Sequence, residues 1–502
     1  MTLTLLGLGP GDIDDLSRRA WHTLKQANAV ILRTARHNCV PCLPQVDGLP
    51  VYQNCDDLYE SIPDFEGVYA AIVERVLAAA RAGDVVYAVP GDPLVGENTV
   101  LELLKRAKDE NIPTEIVNGI SFVEPTLAVL GVDAMDGLQV LDGITVAAMH
   151  HPPINPDFPA LLGQVYSREV AANVKLTLMN QYPDDFRVAL VHAAGNLTPP
   201  PPLRTQRGGV EAEAPVTVEY VPLYEIDRSP HIRHMTSLYV PALGEMSSFE
   251  KFQEIIAHLR APEGCPWDKE QTHLSLRRYL IEEAHEVLET LDAEDSDELY
   301  KEMGDLLLQI VLHTQIAIDD GEFKMTDVLR SINRKMINRH PHVFGDVEAK
   351  TAGEVLANWE TLKQKEHAEQ GVKREWLLDG IPKGLPALMH AFRYQEKAAK
   401  PGFDWEKIED VIAKVREELD EVQAAQSEDE QAEEIGDLLF VLVNWARWLK
   451  VEPETALREA NAKFYRRFRY IEETLAAQGK TLAESNLAEM DGLWNAAKAA
   501  GM

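Results

Sequence analysis

Four carboxylates stand at regular spacing in the middle of the chain: Glu283 and Glu286 in "EEAHEVLETL", then Glu302 and Asp305 in "EMGD". Within each pair the residues are three apart, so on a helix both side chains share a face and repel unless water or a cation intervenes. A solvated helix surface accounts for many such strings. The helix that follows argues otherwise. It reads "LLLQIVLHTQIAI", almost wholly apolar, and its polar residues Glu302, Asp305, Gln309 and His313 form one stripe. Such a helix is expected to be buried, and burying uncompensated carboxylates costs several kcal/mol each. A divalent cation is the natural compensation.

The arrangement occurs twice, because "EELDE" supplies Glu418 and Glu421 while "EIGD" supplies Glu434 and Asp437. All-oxygen ligands favour a hard ion. Mg²⁺ is therefore expected, with Mn²⁺ as the alternative, keeping waters and substrate phosphates in its remaining positions. A di-iron centre needs Glu-x-x-His on two helices and is disfavoured. Glu282 and His285 make one such pair, but Asp420 stands at the matching place of the second copy. Glu282 itself reads as solvated surface.

Each half also ends in a basic element, Asn333, Lys335 and Arg339, then Asn461, Lys463 and Arg467. A Lys and an Arg four apart share a helix face and suit a polyphosphate lying opposite a metal. Carboxylates, a cation and these bases together suit phosphoryl or nucleotidyl hydrolysis. Water would attack phosphorus while a carboxylate, Glu283 or Glu418, takes its proton and the cations stabilise the developing charge. No GxxxxGK[ST] loop occurs, so this is not a P-loop chemistry.

The elements that position these residues fall into three regions. Residues 1 to 245 alternate short apolar runs with amphipathic helices, the texture of an α/β domain with a largely parallel sheet. Beyond "SLYVPALGEMSSFEKF" strand signals nearly vanish, giving a boundary near residues 243 to 248. A second break near 370 to 385 divides the helical part into units 249–370 and 386–502. The two halves echo each other. "YKEMGDLLLQIVLHTQIAI" is matched by "AEEIGDLLFVLVNWARWL", and "NRKMINRHPH" by "NAKFYRRFRY", as duplication of one helical unit would produce. "LTPPPPLRT" at 197 to 205 reads as a stiff surface loop.

A chain of 502 residues exceeds one core and suggests about three domains. Its net charge of -33 opposes association with nucleic acid or anionic lipid. "MTLTLLGLGPGD" lacks the basic start of a signal peptide, and no stretch has the length of a membrane span, so a cytoplasmic protein is expected. Cys39 and Cys42 form one CxxC without a second pair, and the four cysteines read as structural thiols.

On "EEAHE", "EMGD", "EELDE" and "EIGD", together with "GCPWDKEQTHLSLRRYLIEE", "RHPHVFGD" and "NAKFYRRF", the helical part resembles the MazG-type nucleoside triphosphate pyrophosphohydrolases. The resemblance implies conversion of NTP and water to NMP and pyrophosphate, and dimerisation through these helices. It implies metal ligation by Glu283, Glu286, Glu302 and Asp305 in one unit and by Glu418, Glu421, Glu434 and Asp437 in the other. Lys414, Lys463, Arg467 and Trp494 would lie near the nucleotide, with Trp494 either stacking on the base or packing in the core. One or both units would turn over.

In the amino-terminal region three loops follow strand signals: "GLGPGD" (7–12), "PGDP" (90–93) and "NGIS" (118–121). Glycine at a strand's C-terminal end lets a ligand approach the backbone. Asp92 would either bind a ligand or cap its turn. With "GDPLVGENTV" and "VPLYEIDRSPHIRHMTSLYVPAL", the loops resemble the tetrapyrrole methylases, two-lobed α/β enzymes that bind S-adenosylmethionine between lobes. The resemblance implies that Gly91, Asp92 and Pro93 line the donor site, with Pro10 and Ser121 also at the cofactor and "GLGPGD" bordering the substrate side. Asn118 stands where a proline usually precedes Gly-Ile-Ser. A catalytic methylase, a domain that only senses the donor, and a purely structural helical scaffold are the readings that remain.

Overall fold

The computed structural model describes residues 1–45, 52–194, 216–244, 246–355 and 376–502, with Asn358, Trp359, Leu362 and Glu366 between the last two spans. The polyproline stretch at 197–205 lies outside the described residues. The chain forms two compact units, Met1–Gly264 and Cys265–Met502.

In the first unit, β1 (Leu3–Gly7), β2 (Val30–Leu32), β3 (Tyr52–Asn54), β4 (Val85–Val89) and β5 (Thr114–Val117) form a sheet of order β3-β2-β4-β1-β5. Every pairing in it is parallel. Helices α1 (Arg18–Gln26), α2 (Phe65–Ala82) and α3 (Asn98–Asp109) cover its two faces. Both faces are therefore apolar, which is why β1 and β4 read as unbroken hydrophobic runs. Leu3, Leu5 and Tyr87 point to a core with Ile72, Val76 and Leu103, while Leu6, Val86 and Ala88 point to the opposite one with Ala20 and Leu24. After α4 (Val123–Leu130) comes a second sheet of β6 (Gln139–Asp142), β7 (Ala160–Gly163), β8 (Arg187–His192), β9 (Thr217–Pro222) and β10 (Thr236–Val240), ordered β6-β7-β10-β8-β9. Only β6 and β7 are parallel here. The largely parallel sheet expected from sequence thus describes one lobe; in the other, consecutive strands β8 and β9 pair antiparallel and need no crossover helix.

The boundary between units falls later than the 243–248 expected from composition, because helix α6 (Phe249–Arg260), which follows α5 (Arg168–Leu178), belongs to the first unit. Its cap explains why. Asp157 accepts hydrogen bonds from Ser247 N (2.7 Å), Ser248 N (3.3 Å) and Ser248 Oγ (2.5 Å), while Ser248 Oγ accepts from Lys251 N (3.0 Å) in the first turn.

The second unit is helical: α7 (His273–Ala293), α8 (Ser296–Asp319), α9 (Met325–Arg339), then α10 (Ala387–Ala399), α11 (Ile408–Ala424), α12 (Glu428–Trp448), α13 (Pro453–Ala477) and α14 (Leu487–Ala499). Helix α7 packs along α8, and α11 along α12. Their joints are sharp because each second helix is capped at once: Asp295 accepts from Asp297 N and Glu298 N, and Ser427 accepts from Glu430 N. Burial of α8 corrects the expectation from its apolar sequence. Gln309, Val311, Leu312, Thr314, Ile316 and Ala317 are buried, but Tyr300, Met303, Leu307 and Ile310 are exposed. Likewise only Val443 of α12 is buried, with Ile435, Leu439 and Phe440 exposed. No helix among the described residues is long and apolar enough to cross a membrane.

Candidate functional site

The hairpin of α7 and α8 brings Glu283, Glu302 and Asp305 together, with one carboxylate oxygen of each within 4.8 Å of the others. Glu286 stands just outside this trio but presses on it. Burial raises the Glu283 carboxyl above the usual carboxylate range, helped by the neighbouring charges of Glu286 and Asp305. Burial likewise raises Glu302, again with Glu286 and Asp305. Among the described residues no Lys or Arg forms an ion pair with any of the four acids. Gln309 is a neutral donor to this group, its Nε2 3.5 Å from Glu283 Oε1.

The second hairpin repeats the trio with Glu418, Glu434 and Asp437, again within 4.8 Å. Glu421 takes the place of Glu286, and Glu434 is raised by burial and by the charges of Glu421, Glu418 and Asp437. Here the first acid is buried and has a cationic partner. Lys414 Nζ lies 2.8 Å from Glu418 Oε1 and 2.9 Å from Glu417 Oε1, and these bonds raise the ammonium's pKa. Three mutually repelling carboxylates with only oxygen donors fit a hard divalent cation in both places. Glu282 is exposed, as its solvated reading requires. His285 Nδ1 is 2.7 Å from the Ile281 carbonyl of its own helix, so the Glu282/His285 pair does not converge on the trio.

In the first unit the three glycine loops leave adjacent strands β4, β1 and β5 at one edge and meet there. Gly9 and Gly91 exchange backbone hydrogen bonds of 3.2 and 2.7 Å. A Cβ on Gly7 would approach Gly119 N to 2.7 Å, so the close contact of these loops requires glycine. Asp92 is buried and its carboxylate is spent on the scaffold: Oδ1 accepts from Leu94 N (2.9 Å), Oδ2 from Gly119 N (3.1 Å) and Asn118 Nδ2 (3.3 Å). Asn118 thus makes a tie that proline could not. Ser121 is also buried, its N and Oγ donating to Glu124 Oε2 at 2.9 and 2.6 Å. Pro10 and Pro93 are buried beside them and Gly91 is half-buried. What the loops offer a ligand is backbone.

Sequence profiles of three families match the chain: the MazG nucleotide pyrophosphohydrolase domain at residues 271–344, the tetrapyrrole (corrin/porphyrin) methylases at 2–197, and phosphoribosyl-ATP pyrophosphohydrolase at 385–464. Over nearly its whole length the chain is similar to the YabN protein of Bacillus subtilis (strain 168), 43% identical across 99% of this chain and 98% of the relative. The helical half is 45% identical to the nucleoside triphosphate pyrophosphohydrolase/pyrophosphatase MazG of Thermotoga maritima, across 50% of this chain and 95% of that protein. It is 44% identical to the nucleoside triphosphate pyrophosphohydrolase of Escherichia coli (strain K12), across 50% of this chain and 98% of that one. This is a MazG-family chain with an amino-terminal tetrapyrrole methylase domain.

Lys414 apart, the basic residues named from the sequence form no ion pair with these acids among the described residues. Arg339 donates from Nε (3.0 Å) and Nη2 (2.7 Å) to Glu366 Oε2 and lies 5.5 Å over the ring of Trp359. Arg467 Nε donates to the Met502 carbonyl (2.8 Å), and its guanidinium lies 5.4 Å over Trp494. Lys335 and Lys463 are exposed, and among the described residues neither is ion-paired. Sequence reading missed Trp359. Its signal was the echo of "NWETLK" in "LWNAAK", which places Trp359 opposite Trp494. The second MazG-like unit, read from the echo of the first, is also the part that matches the phosphoribosyl-ATP pyrophosphohydrolase profile.

Proposed function

We propose that the chain is a Mg²⁺-dependent nucleoside triphosphate pyrophosphohydrolase, with Mn²⁺ able to substitute, that releases NMP and pyrophosphate in the service of nucleotide-pool housekeeping. The observation that carries this reading is the pair of matched carboxylate trios, each assembled by a helical hairpin. In this reading Glu283, Glu286, Glu302 and Asp305 hold one ion, and Glu418, Glu421, Glu434 and Asp437 the other. A bound ion neutralises triphosphate charge and polarises the phosphorus under attack. Glu283 and Glu418 accept the proton of the attacking water. Lys335, Arg339, Lys463 and Arg467 bind phosphate, joined by Lys414 when it leaves Glu418, and Trp494 stacks on the base.

The exposed apolar faces of α8 and α12 support a homodimer formed through the helical unit, since large uncovered apolar surface marks an interface. The glycine-lined strand edge supports S-adenosylmethionine binding in the first unit at Pro10, Gly91, Asp92, Pro93 and Ser121. The free thiols Cys39, Cys42, Cys55 and Cys265 fit a cytoplasmic setting.

The deciding assay is pyrophosphate release from the common NTPs with and without Mg²⁺. Release that depends on the ion and disappears in the double variant Glu283→Ala, Glu418→Ala is expected; full activity in that variant refutes the reading. Calorimetric titration with S-adenosylmethionine tests the first unit. Binding with methyl transfer assigns it to catalysis, and binding without transfer to sensing.

A further inference from the structure

The two trios differ in what holds the first acid of each. In the first, the holder is Gln309 on α8: it is 5% exposed, its Nε2 reaches Glu283, and its Oε1 is buried with no partner. In the second, the holder is Lys414 on α11, one turn before Glu418 and 2.8 Å from it. The exchange is reciprocal. The offset that carries Asp305 onto Asp437 carries Gln309 onto Val441, and the offset that carries Glu283 onto Glu418 carries Tyr279 onto Lys414. Tyr279 is engaged elsewhere, accepting from Arg278 Nη2 at 2.5 Å with its ring edge-on to Trp267 at 6.2 Å. Each site therefore has one holder, neutral in the first and cationic in the second.

The consequences for an incoming cation are opposite. At the first site no ammonium needs displacing, and the unpartnered amide oxygen of Gln309 would be available to a water carried by the ion. At the second site a divalent ion competes with an ammonium already on Glu418. That competition ends when a polyphosphate draws the ammonium away, because phosphate oxygens are the stronger partner for it.

We infer that the two sites load in different order: the first binds free divalent cation, with Gln309 as its positioning residue, whereas the second binds the cation only together with a nucleotide triphosphate that takes Lys414. This rests on the divalent-cation reading above and adds to it an asymmetry between the halves.

The test is calorimetric titration of Mn²⁺ alone into the full chain, without nucleotide. Wild type is expected to take up one ion per chain at high affinity. Gln309→Leu should weaken that ion about tenfold or more, the scale seen when a partner of a metal ligand is removed. Lys414→Met should instead admit a second ion. Melting curves without Mn²⁺ distinguish a folding defect. Two equivalent ions in wild type, or an unchanged single ion in Lys414→Met, overturns the inference even if Gln309→Leu does not fold. Absence of any Mn²⁺ uptake in all three proteins overturns the cation reading itself, a distinct outcome.

Discussion

The Arg467 guanidinium lies 5.4 Å over the Trp494 ring, on a helix one removed from the acids, and Trp494 also touches Phe464 with ring centroids 5.3 Å apart. The ring thus orients a cation that has further N–H groups to give. Trp494→Ala is expected to raise KM for the nucleotide roughly two- to fivefold with little change in kcat, the scale of an exposed cation–π contact of about 0.5–1 kcal/mol. Steady-state kinetics read this directly. A fall in kcat at unchanged KM would contradict a binding role.

Divalent cation should stabilise the helical unit. Burial and the neighbouring acids raise the carboxyls of Glu283 and Glu302, and a cation offsets both effects. At a concentration about a hundredfold above Kd the gain is about 2.7 kcal/mol, or roughly 5–10 °C for a unit of this size. Differential scanning calorimetry with Mg²⁺ and then with EDTA checks it. Without nucleotide, where only the first site takes the ion, the shift should vanish in Glu283→Ala and stay near the wild-type value in Glu418→Ala.

These acids were legible in the sequence because a duplicated, spaced carboxylate pattern survives as a pattern, and helix periodicity alone puts such residues on one face. Burial was less legible. The apolar run after Asp305 reads as core throughout, yet Leu307, Ile310 and Ile318 are exposed, because periodicity reports that a face needs covering and not what covers it. The tie between Gln309 and Glu283 spans 26 residues, and that between Asp92 and Asn118 also spans 26; no local rule connects either pair. In the first unit the loops were identified, and of the two readings left open for Asp92 the turn cap is present, since Leu94 N donates to its Oδ1. Asp92 bonds to the scaffold through a long-range contact with Gly119, and Ser121 through a local one with Glu124 three residues on.

Acid should loosen the first unit in two stages. His192 is buried, and burial lowers its pKa below 6.5 although Glu219, with an oxygen 3.3 Å from Nε2, opposes this. Glu219 is itself partly buried, which alone would raise it, but bonds from Ser229 and His192 hold it below 4.5. A histidine with a depressed pKa takes up its proton more readily unfolded. Its contribution is therefore intact above 6.5 and is lost as pH falls through the folded value. That of Glu219 is present above 4.5 and lost as pH falls further. Thermal melts from pH 8 to about 3 should show both declines, and His192→Asn should remove the upper one. An unchanged upper decline in that variant would locate it elsewhere.

Cys39 should resist alkylation despite its CxxC setting. It is fully buried, and burial pushes its thiol up to about 12, so the thiolate that reacts is scarce at neutral pH. Mass spectrometry after iodoacetamide treatment of the folded chain at pH 8 should find Cys39 unmodified, and modified once denaturant is added. Rapid labelling in the folded state would show that the site opens.

The strand-edge loops give the sharpest contrast between glycines. A Cβ at Gly119 would collide with the Gly91 carbonyl and come within 3.0 Å of the Gly7 backbone, and backbone cannot swing aside as a side chain can. Gly83 has nothing within 4 Å of the same position and an extended backbone, φ 178°, that any residue adopts. Gly83→Ala should leave the melting temperature equal or slightly higher by reducing the freedom of the unfolded chain. Gly119→Ala should part the three loops, weakening S-adenosylmethionine binding by about tenfold or more, equivalent to about 1.4 kcal/mol. Calorimetric titration of the two variants side by side measures this. Equal affinity in both would mean that the junction of Gly7, Gly91 and Gly119 holds the sheet edge together without shaping a ligand site.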